Sequence, residues 1–252
     1  MKRFISELLL ETGDILKKGF NSNYNIEKKG MRNPVTEIDK KSEKFIVDRI
    51  SSKFPNHSII TEEELSVERG ESLWIIDPLD GTCNFAHGIP HFCVSIAFVE
   101  DGTTKLGGIY EPNLDELFLA ELGMGATLNG KKITVSHKNK LMDSILATGF
   151  AYNRNEVEDT NVDNFNSFIF EVEDIRRMGS AALDLSYVAA GRFDGFWELY
   201  LNSWDVAAGQ LIVEEAGGIV TNIKNKKYNF GEKLIIASNG KIHNDMLNIL
   251  KK

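Results

Sequence analysis

The apolar run Trp74-Ile75-Ile76 ends by delivering one carboxylate, Asp77, then Pro78 and Leu79, then a second carboxylate, Asp80, followed by Gly81 and Thr82. Carboxylates at Asp77 and Asp80, with the Leu79 carbonyl turned the same way by Pro78, make an oxygen-only nest. Such a nest suits Mg²⁺, a hard cation bound by oxygen at about 2.0–2.1 Å. A helix starting at Gly81 and Thr82 would offer backbone N–H groups to an anion. Taken alone, Asp-Pro and Asp-Gly are explained equally well as turn formers. Two further acidic sites shift that balance. Glu62-Glu63-Glu64 follows the β-branched run Ser58 to Thr61, and Asp205 follows Trp204 at a helix start. Each has an ordinary reading by itself, as a solvated acidic loop and as a helix cap. If Glu62, Asp77, Asp80 and Asp205 converge, however, their mutual repulsion calls for cations, and the arrangement reads as a multi-Mg²⁺ cage.

The elements that must position these groups follow from periodicity. Phe4, Leu8, Ile15 and Leu16 recur at helical spacing, and a second amphipathic helix begins near Thr36 and carries Phe45, Ile46 and Ile50 toward Phe54. Short β-branched runs then fill the middle of the chain: Ser58 to Thr61, Leu73 to Ile76, Phe92 to Val99, Leu106 to Tyr110, Leu117 to Ala120 and Ile133 to Val135. Beyond Asp143, strands at Ile145 to Thr148, Phe193 to Trp197, Gly218 to Thr221 and Leu234 to Ala237 alternate with helices. Those helices run over Val162 to Phe170, over Ser180 to Ala190, after Trp204 and at the terminus. No repeat and no Pro/Ser-rich linker interrupts the chain. The expectation is one domain over 1–252, its halves of about 1–140 and 141–252 sharing the site.

The chain has 252 residues, 42% hydrophobic and 26% charged, which describes an ordinary folded domain with a substantial core. A net charge of −8 argues against a nucleic-acid partner or an anionic membrane surface. No apolar stretch reaches the roughly 18 residues of a membrane span. Two cysteines, Cys83 and Cys93, are too few for a disulfide framework, and a cytoplasmic setting is expected.

The segment Trp74 to Phe85 resembles the first signature of the inositol monophosphatase family, and Trp204 to Gly218 resembles its second. The likeness extends to Glu62-Glu63, Gly125-Ala126 with Asn129-Gly130, and Gly179-Ser180-Ala181-Ala182. It implies an α+β fold, the layered α-β-α-β-α sandwich shared with fructose-1,6-bisphosphatases, and a lithium-sensitive, Mg²⁺-dependent phosphatase that forms a homodimer. By the same resemblance, Glu62, Asp77 and the Leu79 carbonyl hold a first Mg²⁺, and Asp77, Asp80 and Asp205 a second, with a looser third ion leaning on Glu62. The nucleophile is then a metal-bound water oriented by Glu62 and Thr82, with Asp39 supporting the threonine. A phosphate monoester would bridge the ions and meet Gly81 and Thr82. Glu198, Gly179, Ser180 and Ala181 match positions that line an inositol ring, and Arg176 is a candidate for the phosphate side. The expected reaction is hydrolysis of myo-inositol monophosphate. The alternatives are a fructose-1,6-bisphosphatase, a 3′(2′),5′-bisphosphate nucleotidase, and a non-enzymatic regulatory protein on the same fold.

Other motifs carry less. Gly125 to Lys131 nearly spells a P-loop, but Lys132 stands where Ser or Thr should take Mg²⁺, and Asn129-Gly130 between strand-like runs reads as a hairpin turn. Cys83, His87, His91 and Cys93 are irregularly spaced for zinc. No Gly-x-Ser-x-Gly elbow is present, and His57, His137 and His243 read as surface residues.

Overall fold

A computed structural model describes residues 1–20, 22, 24–28, 34–63, 65–68 and 70–251, with backbone alone at 27, 28 and 34. Glu64 lies outside the described residues. The first half runs α1 (Lys2–Phe20), β1 (Ile26–Lys28), β2 (Pro34–Thr36), α2 (Glu37–Lys53), β3 (Ser58–Thr61), β4 (Leu73–Asp80), α3 (Thr82–Ala86), β5 (Cys93–Glu100), β6 (Thr103–Glu111), β7 (Glu116–Glu121), β8 (Gly125–Leu128) and β9 (Lys131–Lys132). The second continues with β10 (Ile145–Thr148), α4 (Val162–Phe168), β11 (Asp174–Arg176), α5 (Ala181–Ala189), β12 (Gly195–Leu199), α6 (Ser203–Glu215), β13 (Ile219–Thr221), β14 (Leu234–Ser238) and α7 (His243–Leu250).

Strands β3 to β9 form one sheet in chain order, and a second sheet has the order β11-β10-β12-β14-β13. Three apolar clusters separate five layers, because side chains alternate across each strand. Trp74 and Ile76 of β4 pack outward with Leu8 of α1 and Ile46 of α2, while Ile75 between them joins α5 and α6 on the other face. On the second sheet Phe196 faces that same middle layer, and Trp197 turns to the outer cluster with Met246 and Leu247 of α7. Helices α1 and α2 therefore cover one sheet, α7 covers the other, and α5 and α6 fill the space between them. This is the α-β-α-β-α order expected. No helix among the described residues is long and apolar enough to cross a membrane.

Two expectations need correction. Ile133 to Val135 is not a strand: sheet pairing stops at Lys132, and the Ile133 and Val135 amides donate instead to Ala126 O and Ala216 O. Hydrophobic β-branched residues here serve the middle core, not a ladder. His243 is buried, not on the surface, with Nε2 2.8 Å from Thr221 Oγ1 and Nδ1 2.9 Å from Ser238 Oγ. His57 is half-buried, accepting from Trp74 Nε1 at 3.0 Å and stacking on Phe54 and Phe98. The Asn129-Gly130 hairpin is present, with φ of 49° and 76° at its two central residues, the signature of a turn that suits strand twist.

Candidate active site

Sheet register brings the first acidic groups together. β3 and β4 run parallel with Thr61 opposite Ile76, so the chain leaves β3 at Glu62 beside Asp77. Pro78 has no N–H to give the ladder, and between Asp77 and Asp80 the pairing with β5 slips by a residue. The slip bends the strand end. The Leu79 N–H, released from the ladder, donates to Asp77 Oδ1 at 3.0 Å. Gly81 then takes φ 93°, and a Cβ there would lie 2.9 Å from the His91 carbonyl oxygen, so only glycine fits. The turn aims α3 away from the sheet and leaves Thr82 at its first position, buried.

Helix α2 supplies two supports one turn apart. Asp39 Oδ2 accepts from the Thr36 amide at 2.8 Å in a capping box, and its Oδ1 accepts from the Thr82 hydroxyl at 3.0 Å. Glu43, on the same face, accepts from the Thr61 hydroxyl and from the Leu65 amide, clasping the turn that carries Glu62. Sequence reasoning missed Glu43. Its signal was the four-residue spacing from Asp39, which puts a second carboxylate on the face that carries Ile46 and Ile50.

The second half closes the site. Ser180 caps α5 and donates its hydroxyl to Asp80 Oδ2 at 2.7 Å, and the Ala182 amide donates to the same oxygen at 2.8 Å. The N-cap of α6 is Asn202, not Asp205; Asp205 stands at the third position of the helix and accepts from the Asn202 amide at 2.6 Å in a capping box. A cavity of about 600 Å³ results, lined by Glu62, Asp77, Leu79, Asp80, Gly81, Thr82, Gly179, Ser180, Ala181, Glu198 and Asp205. Asp39 stands behind Thr82 and reaches the cavity through it.

Arg176 stands apart from the other candidates. It pairs with Asp174 on β11, and the guanidinium that lines the cavity is that of Arg177. Successive side chains at a strand end point to opposite faces, so a shift of one residue exchanges the two roles. Phe150, Tyr152, Asn153 and Asp184 also line the cavity and were not anticipated. On β12, Glu198 lies against Gly149, where a Cβ would stand 2.1 Å from its Oε1. Parallel pairing of Thr148 with Trp197 sets this approach.

The electrostatics are those of crowded acids. Burial, then Glu62, Asp80 and Asp205, hold Asp77 well above the usual carboxylate range. Burial raises Asp80 too, against the pull of its Ser180 and Ala182 hydrogen bonds. Asp205 keeps part of its surface open to the cavity, yet the surrounding protein and Asp80 push it up to about 8. Among the described residues no three His, Cys, Asp or Glu side chains are already gathered at ligand distance. Asp77, Asp80 and Asp205 instead each accept a backbone N–H, from Leu79, Ala182 and Asn202 respectively. The donor set fits hard divalent cations: carboxylates and one carbonyl, with the nearby Cys93 thiol kept protonated by burial and by Asp80.

Residues 1–251 match the inositol monophosphatase family across the whole described fold. This chain belongs to that family. The inositol monophosphatase relatives include a Thermotoga maritima protein named fructose-1,6-bisphosphatase/inositol-1-monophosphatase, 42% identical over 254 residues covering 99% of this chain and 95% of that one. A second is the Nus factor SuhB of Escherichia coli K12, 42% identical over 241 residues, 94% of this chain and 90% of that one. Among solved structures, the extragenic suppressor protein suhB of Bartonella henselae superposes with a TM-score of 0.94 at 40% identity, covering 99% of this chain and 98% of that one. The inositol monophosphatase fold and phosphatase class thus apply to this chain, and its family uses metal ions.

Proposed function

We propose that this chain hydrolyses a polyol phosphate monoester, with myo-inositol monophosphate the substrate that the cavity favours and Mg²⁺ the cofactor. The observation that carries the reading is the meeting of Glu62, Asp77, Asp80 and Asp205 in one cavity with the Thr82–Asp39 pair on one side and Glu198 on another.

Glu62, Asp77, Asp80, Asp205 and the Leu79 carbonyl would hold two to three ions. Bound there, the cations screen phosphate charge and acidify water, the two obstacles in hydrolysing so unreactive an ester. The remaining tasks belong to the chain. Backbone N–H groups at Gly81 and Thr82, at the start of α3, favour a phosphate oxygen. Thr82 and Glu62 orient the attacking water. Glu198, pushed up to about 8 by burial against the pull of Arg177, is both acceptor and donor near neutral pH and suits ring hydroxyls.

A second reading, a sugar bisphosphate, is favoured by Arg177, whose cavity position supplies the basic group that a second phosphate needs. Rates of phosphate release with Mg²⁺ from inositol 1-phosphate, fructose 1,6-bisphosphate and 3′-phosphoadenosine 5′-phosphate separate the readings. Fastest turnover of inositol 1-phosphate supports the first, and its absence removes it. Inhibition by millimolar lithium, a homodimer in light scattering and a cytoplasmic location are proposed on the family resemblance.

A further inference from the structure

One acidic group in the cavity has no part in the site described above. Asp184, on α5, is 1% exposed and lines the cavity, and its Oδ1 is buried with no hydrogen-bond partner among the described residues. Its backbone is fixed: the Asp184 amide donates to Ser180 O at 3.0 Å, in the turn that tethers Asp80. Its neighbours Leu183 and Leu185 are fully buried in the middle core. A buried carboxyl left without a partner is costly, and native structures rarely keep one without a use. Glu198 and Asp80 are close enough to add repulsion, with Arg177 the opposing cation.

We infer that Asp184 is a specificity-determining residue, set with Glu198 to grip a polyol by two of its hydroxyls. Glu198 reaches the cavity from β12 and Asp184 from α5, so the two carboxyls approach a ligand from different elements. A hydroxyl is donor and acceptor at once. It therefore satisfies a carboxyl in either protonation state, which a flat aryl group cannot do. Binding such a hydroxyl at the cavity side of Asp184 gives its carboxyl a partner that the protein does not supply, and a ligand without it leaves the carboxyl unpaired. The inference rests on the polyol phosphate reading of the same site.

The test compares wild type, Asp184→Asn and Asp184→Ala with Mg²⁺ on inositol 1-phosphate and on p-nitrophenyl phosphate, with thermal melting alongside. Expected for Asp184→Ala are a KM for inositol 1-phosphate raised by about 10-fold or more, kcat within about twofold, and aryl phosphate hydrolysis within about twofold of wild type, with Asp184→Asn, whose amide still donates and accepts, falling between. Melting temperature should equal or exceed that of wild type, since an unpaired buried carboxyl has been removed. Equal losses on both substrates, or a fall in melting temperature that accounts for the loss, would make Asp184 structural and overturn the inference. Unchanged KM overturns it while leaving the polyol reading intact. Wild type that hydrolyses the aryl ester and not inositol 1-phosphate overturns both.

Discussion

The Thr82 hydroxyl stands 3.0 Å from Asp39 Oδ1, across 43 residues of chain, and 2.9 Å from the Leu79 carbonyl oxygen. A hydroxyl has one proton to donate, and an ionised carboxylate is the stronger acceptor. With that proton committed to Asp39, the Thr82 lone pairs remain to accept from water. Thr82→Ala is expected to lower kcat by about 10²-fold or more, while Thr82→Ser keeps most activity. Asp39→Asn should resemble the alanine variant. Steady-state phosphate release measures both, and wild-type kcat in Asp39→Asn would break the link between the two residues.

Asp77 is buried among three other acids, so its charge opposes folding until cations offset it. With a chelator present, Asp77→Asn should be more stable than wild type by about 1–2 kcal/mol. Added Mg²⁺ should raise the melting temperature of wild type and leave the variant nearly unmoved, because only the intact site binds the ion tightly. A variant less stable than wild type in chelator contradicts the crowding argument.

Glu43 holds the Thr61 hydroxyl and the Leu65 amide on either side of Glu62. Glu43→Ala orphans both donors, at about 1–3 kcal/mol each where they stay buried. The Mg²⁺ concentration for half-maximal activity should rise by about 10–100-fold, as for other residues that hold metal ligands in place. Glu43→Gln keeps one carbonyl acceptor and should fall between. The measurement is a Mg²⁺ titration of activity, with an unshifted midpoint as the contrary result.

Arg177 and Arg176 differ by one position and face different surroundings. Arg177→Ala should reduce kcat/KM for a bisphosphate by about 10-fold or more through a lost charge-assisted hydrogen bond, and by less for a monophosphate. Arg176→Ala should spare both. Equal effects of the two substitutions would remove Arg177 from substrate binding.

Burial lowers His243 to about 4 from an ordinary value of 6.5, so the fold retains the neutral ring. Between those values the unfolded chain binds more protons than the native one, and stability must fall as pH drops from about 6.5 toward 4. Above about 6.5 this contribution is fully present. Denaturant unfolding at pH 7, 5.5 and 4.5 should show the decline, and His243→Asn should flatten its share of it. An identical pH slope in the variant rules out the ring as a contributor.

Much of this site was legible because its chemistry is written in short local stretches. Asp77-Pro78-Leu79-Asp80-Gly81-Thr82 combines a turn, two carboxylates and a helix start within six residues, and each local preference agrees with the observed bulge and left-handed glycine. Helix periods identified α1 and α2 for the same reason. Ile133 to Val135 misled because β-branched apolar residues suit a packed core as well as a ladder, and only the neighbouring Ala126 and Ala216 carbonyls decide where their amides go.

By itself the sequence determined residue chemistry: which side chains can bind a hard cation, which turns need glycine, which faces must be buried. Tertiary structure alone decided pairings between distant segments. That Ser180 tethers Asp80, that Glu43 clasps the Glu62 turn, and that Arg177 and not Arg176 meets the cavity are set by sheet register and helix packing. The physical reason is range: backbone preference acts over a few residues, whereas an orphaned carboxyl such as Asp184 acquires its meaning from elements folded around it from elsewhere in the chain.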